Sequence, residues 1–542
     1  MSPEAHTRDR SAASKRGRWV WLWVGLAVLV VLLISGGEVV LHHAGPILKG
    51  RVIETLSARF GGRVELDNLD VSILHGLSAS GDGLRIFAPD EMVRAGVTQP
   101  LIVVKNFAFH TSVLGLFEKP MHVGTVHVTG MQISLPPGNL RQQGPARASR
   151  ARKIKIVVDK LVCDNSRLII ETSTPGKDPK DFELRHIELH DVGPRAPLRY
   201  TATLTNAIPR GDIQAQGTFG PWNVETPGDS PVMGKYTFDH ADLNTIKGIG
   251  GILSSTGNFQ GQLNRIVVDG TTETPDFSID TANHKLPLHT KFHAIVDGTT
   301  GDTYLQPVEA KLRDSNFTCS GAVINMRGVG HAIDLDVNVP DGRIQDFLAL
   351  AVKTSPVIMT GQIGMKTKLH IKPGKESVSH KLDLNGGFTL RKIHFTNQKV
   401  QDDVDMLSVR AQGQPEEAKP GAPDVNSQMT GQFAMDAGKL HFSNLEYDMP
   451  GASVQLAGTY SLDGKVFDFA GKMRTKAMLS EMVTTWWKSL LLQAVDPLFK
   501  KHGAGAEIPF TVSGTKSAPK FGLDLAAMGK KDKDKAGDGR NR

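Results

Sequence analysis

The sequence predicts a mainly β protein held by one N-terminal transmembrane helix, and three observations carry that reading. Glycine supplies 56 of 542 residues while aromatics stay at 6% and charged residues at 22%, the composition of many short strands joined by many turns. Ile333, Leu335, Val337 and Val339 alternate with Asp334, Asp336 and Asn338, as in a strand with one apolar and one polar face. From Trp19 to Ile34 there is no charged or strongly polar residue.

That run, extended through Ser35, Gly36 and Gly37, approaches the ~20 residues a helix needs to cross a bilayer. Residues 19–37 are therefore the predicted membrane anchor, with Leu26, Val30 and Ile34 in the span and Trp19, Trp21 and Trp23 at its N-terminal end, where indole rings favour the headgroup region. Arg8, Arg10, Lys15, Arg16 and Arg18 precede it, whereas Glu38, His42 and His43 follow. The positive-inside bias puts the tail 1–18 in the cytoplasm and everything after about residue 40 outside. A cleaved signal peptide is the competing reading, but the apolar run is long and no A-x-A-like site follows it.

The chain's net charge of +7 raises nucleic acid as a partner, so its distribution matters. Residues 1–18 carry +3, 141–155 carry +6 and 529–542 carry +3, leaving the remainder at −5. The basicity is local, which argues against a nucleic-acid groove; solvated loop and charged tail account for the last two segments. Cys163 and Cys319 alone cannot form a disulfide framework, and they lack metal-ligand spacing. A bridge between them stays open for an oxidising compartment.

After the anchor, Ile47, Ile53, Leu56 and Phe60 lie near one face of an amphipathic helix over residues 46–60, which Gly61 and Gly62 end. With that helix, an N-terminal β module spans 38–135, followed by a basic Pro/Gly/Arg loop at 136–152, a central β-rich body at 153–412, a second loop at 413–427, a closing module at 428–525 and a disordered charged tail at 526–542. Within the body Phe182, Leu184, Ile187 and Leu189 mark another strand with a break in register. Seven segments share a β run ended by a glycine turn: 214–219, 256–261, 319–323, 384–389, 429–433, 456–460 and 511–515. Glycine in a strand marks a bulge, a bend or a close backbone approach, so these segments predict a long sheet built by local additions. Two stretches look helical, Ile344 to Val352 and Met478 to Lys501, the latter with Met482, Trp486 and Leu490 in a broad apolar stripe and Pro497 to kink it.

The search for chemistry finds no nucleophile elbow, zinc helix, Walker loop or dinucleotide fingerprint. His186, Glu188 and His190 share a strand face, but the outer two are ~13 Å apart along an extended strand, too far for one metal ion. Asp334, Asp336, Asn338 and Asp341 imitate a calcium loop, yet Val339 stands where the turn needs glycine. No enzyme activity, cofactor or metal is predicted.

The order of elements resembles the AsmA family, related to TamB and to eukaryotic bridge-like lipid-transfer proteins. Leu56 to Leu69 looks like the family's start after its anchor. Gly438 to Leu445, Ala457 to Phe469 and Glu507 to Asp524 resemble the AsmA-like C-terminal region in order and spacing, and Ile249 to Gly261 with Thr274 to Phe277 is similar to large bacterial relatives. The resemblance implies an inner-membrane protein with a periplasmic body: an elongated, curled antiparallel β-sheet groove, apolar inside, that carries phospholipid between inner and outer membranes. Ile333, Leu335, Val337 and Val339 are then candidate groove-lining residues. An outer-membrane or periplasmic protein partner is expected too, since no second membrane segment stands near the charged C-terminal run. The alternative is a structural or assembly factor for outer-membrane proteins, which a narrow groove with exposed edges would favour; a membrane-tethered hydrolase would need carboxylates or histidines gathered in a compact pocket.

Overall fold

The computed structural model describes residues 49–523, except short stretches inside that range and the longer segments 112–120, 137–155, 172–179 and 484–504. The anchor with Trp19, Trp21, Trp23, Leu26, Val30 and Ile34, the basic loop after residue 136, most of the 478–501 segment and the charged tail lie outside the described residues. Among the described residues no helix is long and apolar enough to cross a membrane. The chain is mainly β, with 25 strands and a few short helices described, and it divides into two compact units. One comprises Met1–Leu168 with Arg185–Leu198, the other Ile169–Leu184 with Arg199–Arg542.

In the first unit the described residues of 49–57 are helical, inside the predicted amphipathic segment. Gly61, at φ 70°, turns the chain into the strand Gly62–Glu65. This strand and Asn68–Ser72 both pair antiparallel with Leu77–Pro89, which pairs with Ile102–Thr111 and that in turn with Met121–Leu135. Directly paired residues on neighbouring strands point to the same face. Here the cross-strand path Val71, Ala79, Phe109 and Val126 marks an apolar face, and Val104, Val128 and Cys163 form its buried core. On the polar side Arg85 bonds both Glu65 and Asp67, which raise its pKa.

The second unit is built from hairpin additions. From Arg210–Phe219 to Ala518–Leu523 the described ladders are all antiparallel, and each long strand pairs with the next in sequence. All seven glycine segments lie on these strands. Register shifts recur, for example at Phe238/Ala241, Thr274/Phe277, Leu305/Val308, Val339/Gly342 and Arg391/Ile393, and two of the extra residues, His240 and Lys392, take positive φ. Each such bulge bends its strand and increases the local twist.

Two helices cover one end of the apolar side. The predicted helix at 344–352 is present as Ile344–Ala351. Its first-turn Asp346 is 1% exposed and accepts hydrogen bonds from Ser315 Oγ (2.8 Å) and Asp314 N (3.3 Å). The second helix, Gln398–Ala411, falls within the segment assigned to the β-rich body. Its most deeply buried residues are Gln401, Asp405 and Ser408 with Ala411, while Val404 and Leu407 pack beside them only partly buried, so the polar residues on the buried face mask the helical pattern in the sequence. These polar groups have partners: Gln401 Oε1 accepts from Phe395 N, Asp405 Oδ1 from Val425 N and Gln401 Nε2, and Ser408 Oγ donates to Pro450 O. The predicted loop 413–427 holds a 3-10 turn at Pro415–Glu417, and Ser427 already opens the next strand. The start of the predicted 478–501 helix is a single 3-10 turn, Leu479–Met482, with Val483 extended. Glu481 closes that turn by accepting from Met478 N at 2.8 Å.

One contact joins opposite strand ends. The segment after Met359–Ile371 reaches the far end of Arg265–Ile279, five ladders away. There Ser377 Oγ donates to Asp280 Oδ2 at 2.7 Å, and Val378 N donates to Lys247 O at 3.1 Å. In a flat sheet those ends would be displaced by ~24 Å across the strands and ~40 Å along them.

Candidate functional site: an apolar sheet face

Following the register from strand to strand in the second unit identifies the site. One cross-strand row runs Gly217, Gly234, Phe259, Val268, Ala294, Leu305, Gly321 and Leu335, then Leu369, Leu384, Met435, Leu440, Tyr460, Phe467 and Gly514. Fifteen strands thus contribute to one row without a charge, and the only polar atom on it is the Tyr460 hydroxyl. At ~4.8 Å per strand the row follows the sheet for ~67 Å. Displaced by one residue, the row on the opposite face reads Gln216, Lys235, Asn258, Asp269 and His293, and farther along Asp334, His370 and Asp383. The side-chain period of two separates the two chemistries along these rows.

Every one of the seven glycine segments puts a glycine on the apolar face, at Gly217, Gly257, Gly321, Gly386, Gly431, Gly458 and Gly514. Close approach explains most of them. A Cβ at Gly217, Gly321 or Gly458 would overlap a carbonyl oxygen of the adjacent strand. At Gly257 and Gly431 an aromatic ring occupies the place of a side chain: a Cβ would stand 2.8 Å from Tyr236 Cε1 and 2.7 Å from Phe388 Cε1 respectively. Rings lying across glycine backbone keep the surface apolar and smooth.

Ile333, Leu335 and Val337 lie half-buried on this face. Val339 shares it but is 1% exposed, packed with Ile344, Ile363, Leu390 and Tyr447 where the helices cover the strand ends. Leu369, Leu384, Leu440 and Phe467 were not singled out in the sequence; only the ladder register brings them into line. Cys319 lies on the same face beside Val337, its thiol raised by burial. Cys163 belongs to the first unit, where burial pushes its thiol up to about 11.

The hollows in the sheet take residues of both parities. A shallow cleft of about 690 Å³ is lined by Gln214, Gln216, Lys235, Thr237 and Asp269 together with Tyr236, Gly257, Gly270 and Phe292. A second, of about 520 Å³, lies among Ser320, Asp336, Lys366 and Lys368. No group of three His, Cys, Asp or Glu among the described residues is placed to hold a metal ion. His186 instead bonds Asp164 at 2.7 Å, and Glu188 takes Lys160 at 2.7 Å and His190 at 2.8 Å. The Lys160 contact, then His190, lowers the Glu188 pKa.

No family model matches the chain, and no characterised protein or solved structure matches it.

Proposed function

We propose that this is an AsmA-like, membrane-anchored lipid-transfer protein whose second unit solvates phospholipid acyl chains on its apolar sheet face between the inner and outer membranes. The uninterrupted apolar row across fifteen strands carries the reading. An acyl chain needs apolar surface that continues farther than its own length, while its headgroup stays in water, and no reacting group is required. Three further observations support a curled surface. The Ser377 to Asp280 contact joins ends that a flat sheet separates, and bulges recur in ladder after ladder. Moreover, none of the large apolar side chains of the row is among the exposed ones, although among the described residues the helices cover only one end of that face; side chains shield one another when a face is concave. The positive-inside pattern at the N-terminus supports a body on the side of the membrane away from the cytoplasm.

The test is mass spectrometry of lipid co-purifying with the full chain, compared with a Leu335→Asp/Leu369→Asp variant. Phospholipid near or above one equivalent, lost from a variant that keeps its β-sheet circular dichroism, is the expected result. A wild-type chain that carries no lipid but captures unfolded outer-membrane polypeptide would replace this function with that of an assembly factor.

A further inference from the structure

Polar side chains are scattered on the apolar face, Thr303 and Thr367 among them, and at one place several stand together. Two rows over from the Gly234 to Val268 stretch, beyond the row of Tyr236, Gly257, Gly270 and Phe292, Ser255, Thr272 and Thr290 stand directly opposite one another on three adjacent strands. Phe238 and Ala310 bound this group on the neighbouring strands. Tyr236 adds a fourth hydroxyl. Its ring lies across Gly257, and its Oη sits 2.8 Å from where a Cβ of Gly270 would be, so two glycines let the ring lie down and bring its oxygen 3.1 Å from Ser255 Oγ.

The proton inventory shows what this group offers. Ser255 Oγ donates to Thr271 O at 2.9 Å and so accepts from Tyr236. Thr272 and Thr290 share one hydrogen bond, Oγ1 to Oγ1 at 2.7 Å, which uses one of their two hydroxyl hydrogens. The other is left to donate, and both threonines are half-buried rather than sealed. In a mainly apolar surface, a spare donor discriminates for an acceptor oxygen on the bound molecule.

Building on the lipid-carrying reading above, we propose that Tyr236, Ser255, Thr272 and Thr290 form a subsite for the acyl-ester oxygen of a glycerolipid, fixing where along the face the chains begin. The spare hydroxyl hydrogen of the threonine pair bonds the ester carbonyl, and the chains run out over Phe259, Val268 and Phe292.

Photo-cross-linking tests this on the full chain in mixed micelles. One phosphatidylcholine carries a diazirine beside the ester and another carries it at the chain end; an ether-linked analogue carries it at the proximal position. The ester-proximal probe should label peptides spanning 255–257, 270–274 and 288–292 about fivefold more than either other probe, the ratio one hydrogen bond of ~1 kcal/mol supports. Thr272→Val/Thr290→Val keeps the shape and should abolish that preference while total labelling of the face persists; Tyr236→Phe is a second, milder variant. Equal labelling by ester and ether probes, or a preference that survives in the double valine variant, overturns the subsite alone. Absence of labelling anywhere on the face overturns both the subsite and lipid carriage.

Discussion

At the scale of single residues, glycine and the hydroxyl groups decide most. Gly458→Ala forces a Cβ into the Asp468 carbonyl, and the strands must separate to admit it. Overpacking of this kind costs about 1–3 kcal/mol, so its urea midpoint should fall with the slope unchanged; an unaltered midpoint would mean the close approach is dispensable. Tyr447 presents the opposite case. Its hydroxyl is buried in the core under the Gln398–Ala411 helix with no group among the described residues in full hydrogen-bond geometry; burial raises its pKa, and the Ser427 side chain beside it offsets only part of that rise. A buried hydroxyl left unpaired costs about 1–3 kcal/mol, and Tyr447→Phe is expected to match or exceed wild-type stability by the same urea measurement. The two cysteines differ in reach. Cys319 on the apolar face should react with a maleimide in lipid-free protein and be protected when lipid is bound. Cys163, 1% exposed with a thiol up at about 11, should stay unmodified until the first unit unfolds.

At the scale of elements, the helices are held by buried polar pins as well as by apolar side chains, Phe347 and Leu348 on one and Val404 and Leu407 on the other. Asp346→Ala leaves Ser315 Oγ and Asp314 N without their acceptor. A loss of about 1–3 kcal/mol follows, together with faster hydrogen exchange confined at first to Ile344–Ala351. Exchange unchanged in that helix would show that packing against Leu286, Leu312 and Phe317 holds it alone. In the first unit, Glu188 links two strands through Lys160, and its pKa is depressed below the ordinary 4.5. A depressed carboxylate contributes stability above its unfolded pKa and loses it as pH falls through the folded one. The first unit should therefore weaken below about pH 4.5, and Glu188→Gln should flatten that part of the profile followed by tryptophan-independent circular dichroism.

At the scale of the molecule, separation of apolar and polar faces is what the chain repeats. The row of fifteen residues gives one sheet face a continuous apolar stretch that, among the described residues, the helices cover only at one end. The Ser377 to Asp280 link bears on that surface as a whole, because it ties strand ends five ladders apart. Ser377→Ala/Asp280→Asn should raise hydrogen exchange at Lys247 to Gly250 and Val378 without unfolding the neighbouring strands. Exchange that rises uniformly through the second unit instead would make the link a determinant of the whole sheet.

Much of this was legible in the sequence because two of its signals are local. The alternation at Ile333 to Val339 reports a two-faced strand regardless of what pairs with it, and seven glycine segments report close approach wherever the neighbour lies. The helix at Ile344 was legible through its apolar run, whereas Gln398–Ala411 was not, since its most deeply buried groups are mainly polar and their partners, Phe395 N, Val425 N and Pro450 O, come from outside the helix. What the sequence by itself determined is that the strands have an apolar and a polar side. Only the tertiary structure decided which residues form one continuous surface, because a strand's register with its neighbours is set by bulges and turns, and a slip of one residue exchanges the faces. For the same reason Val339 and Leu335, identical in pattern, have different surroundings: one lies beneath a helix, the other on the open face.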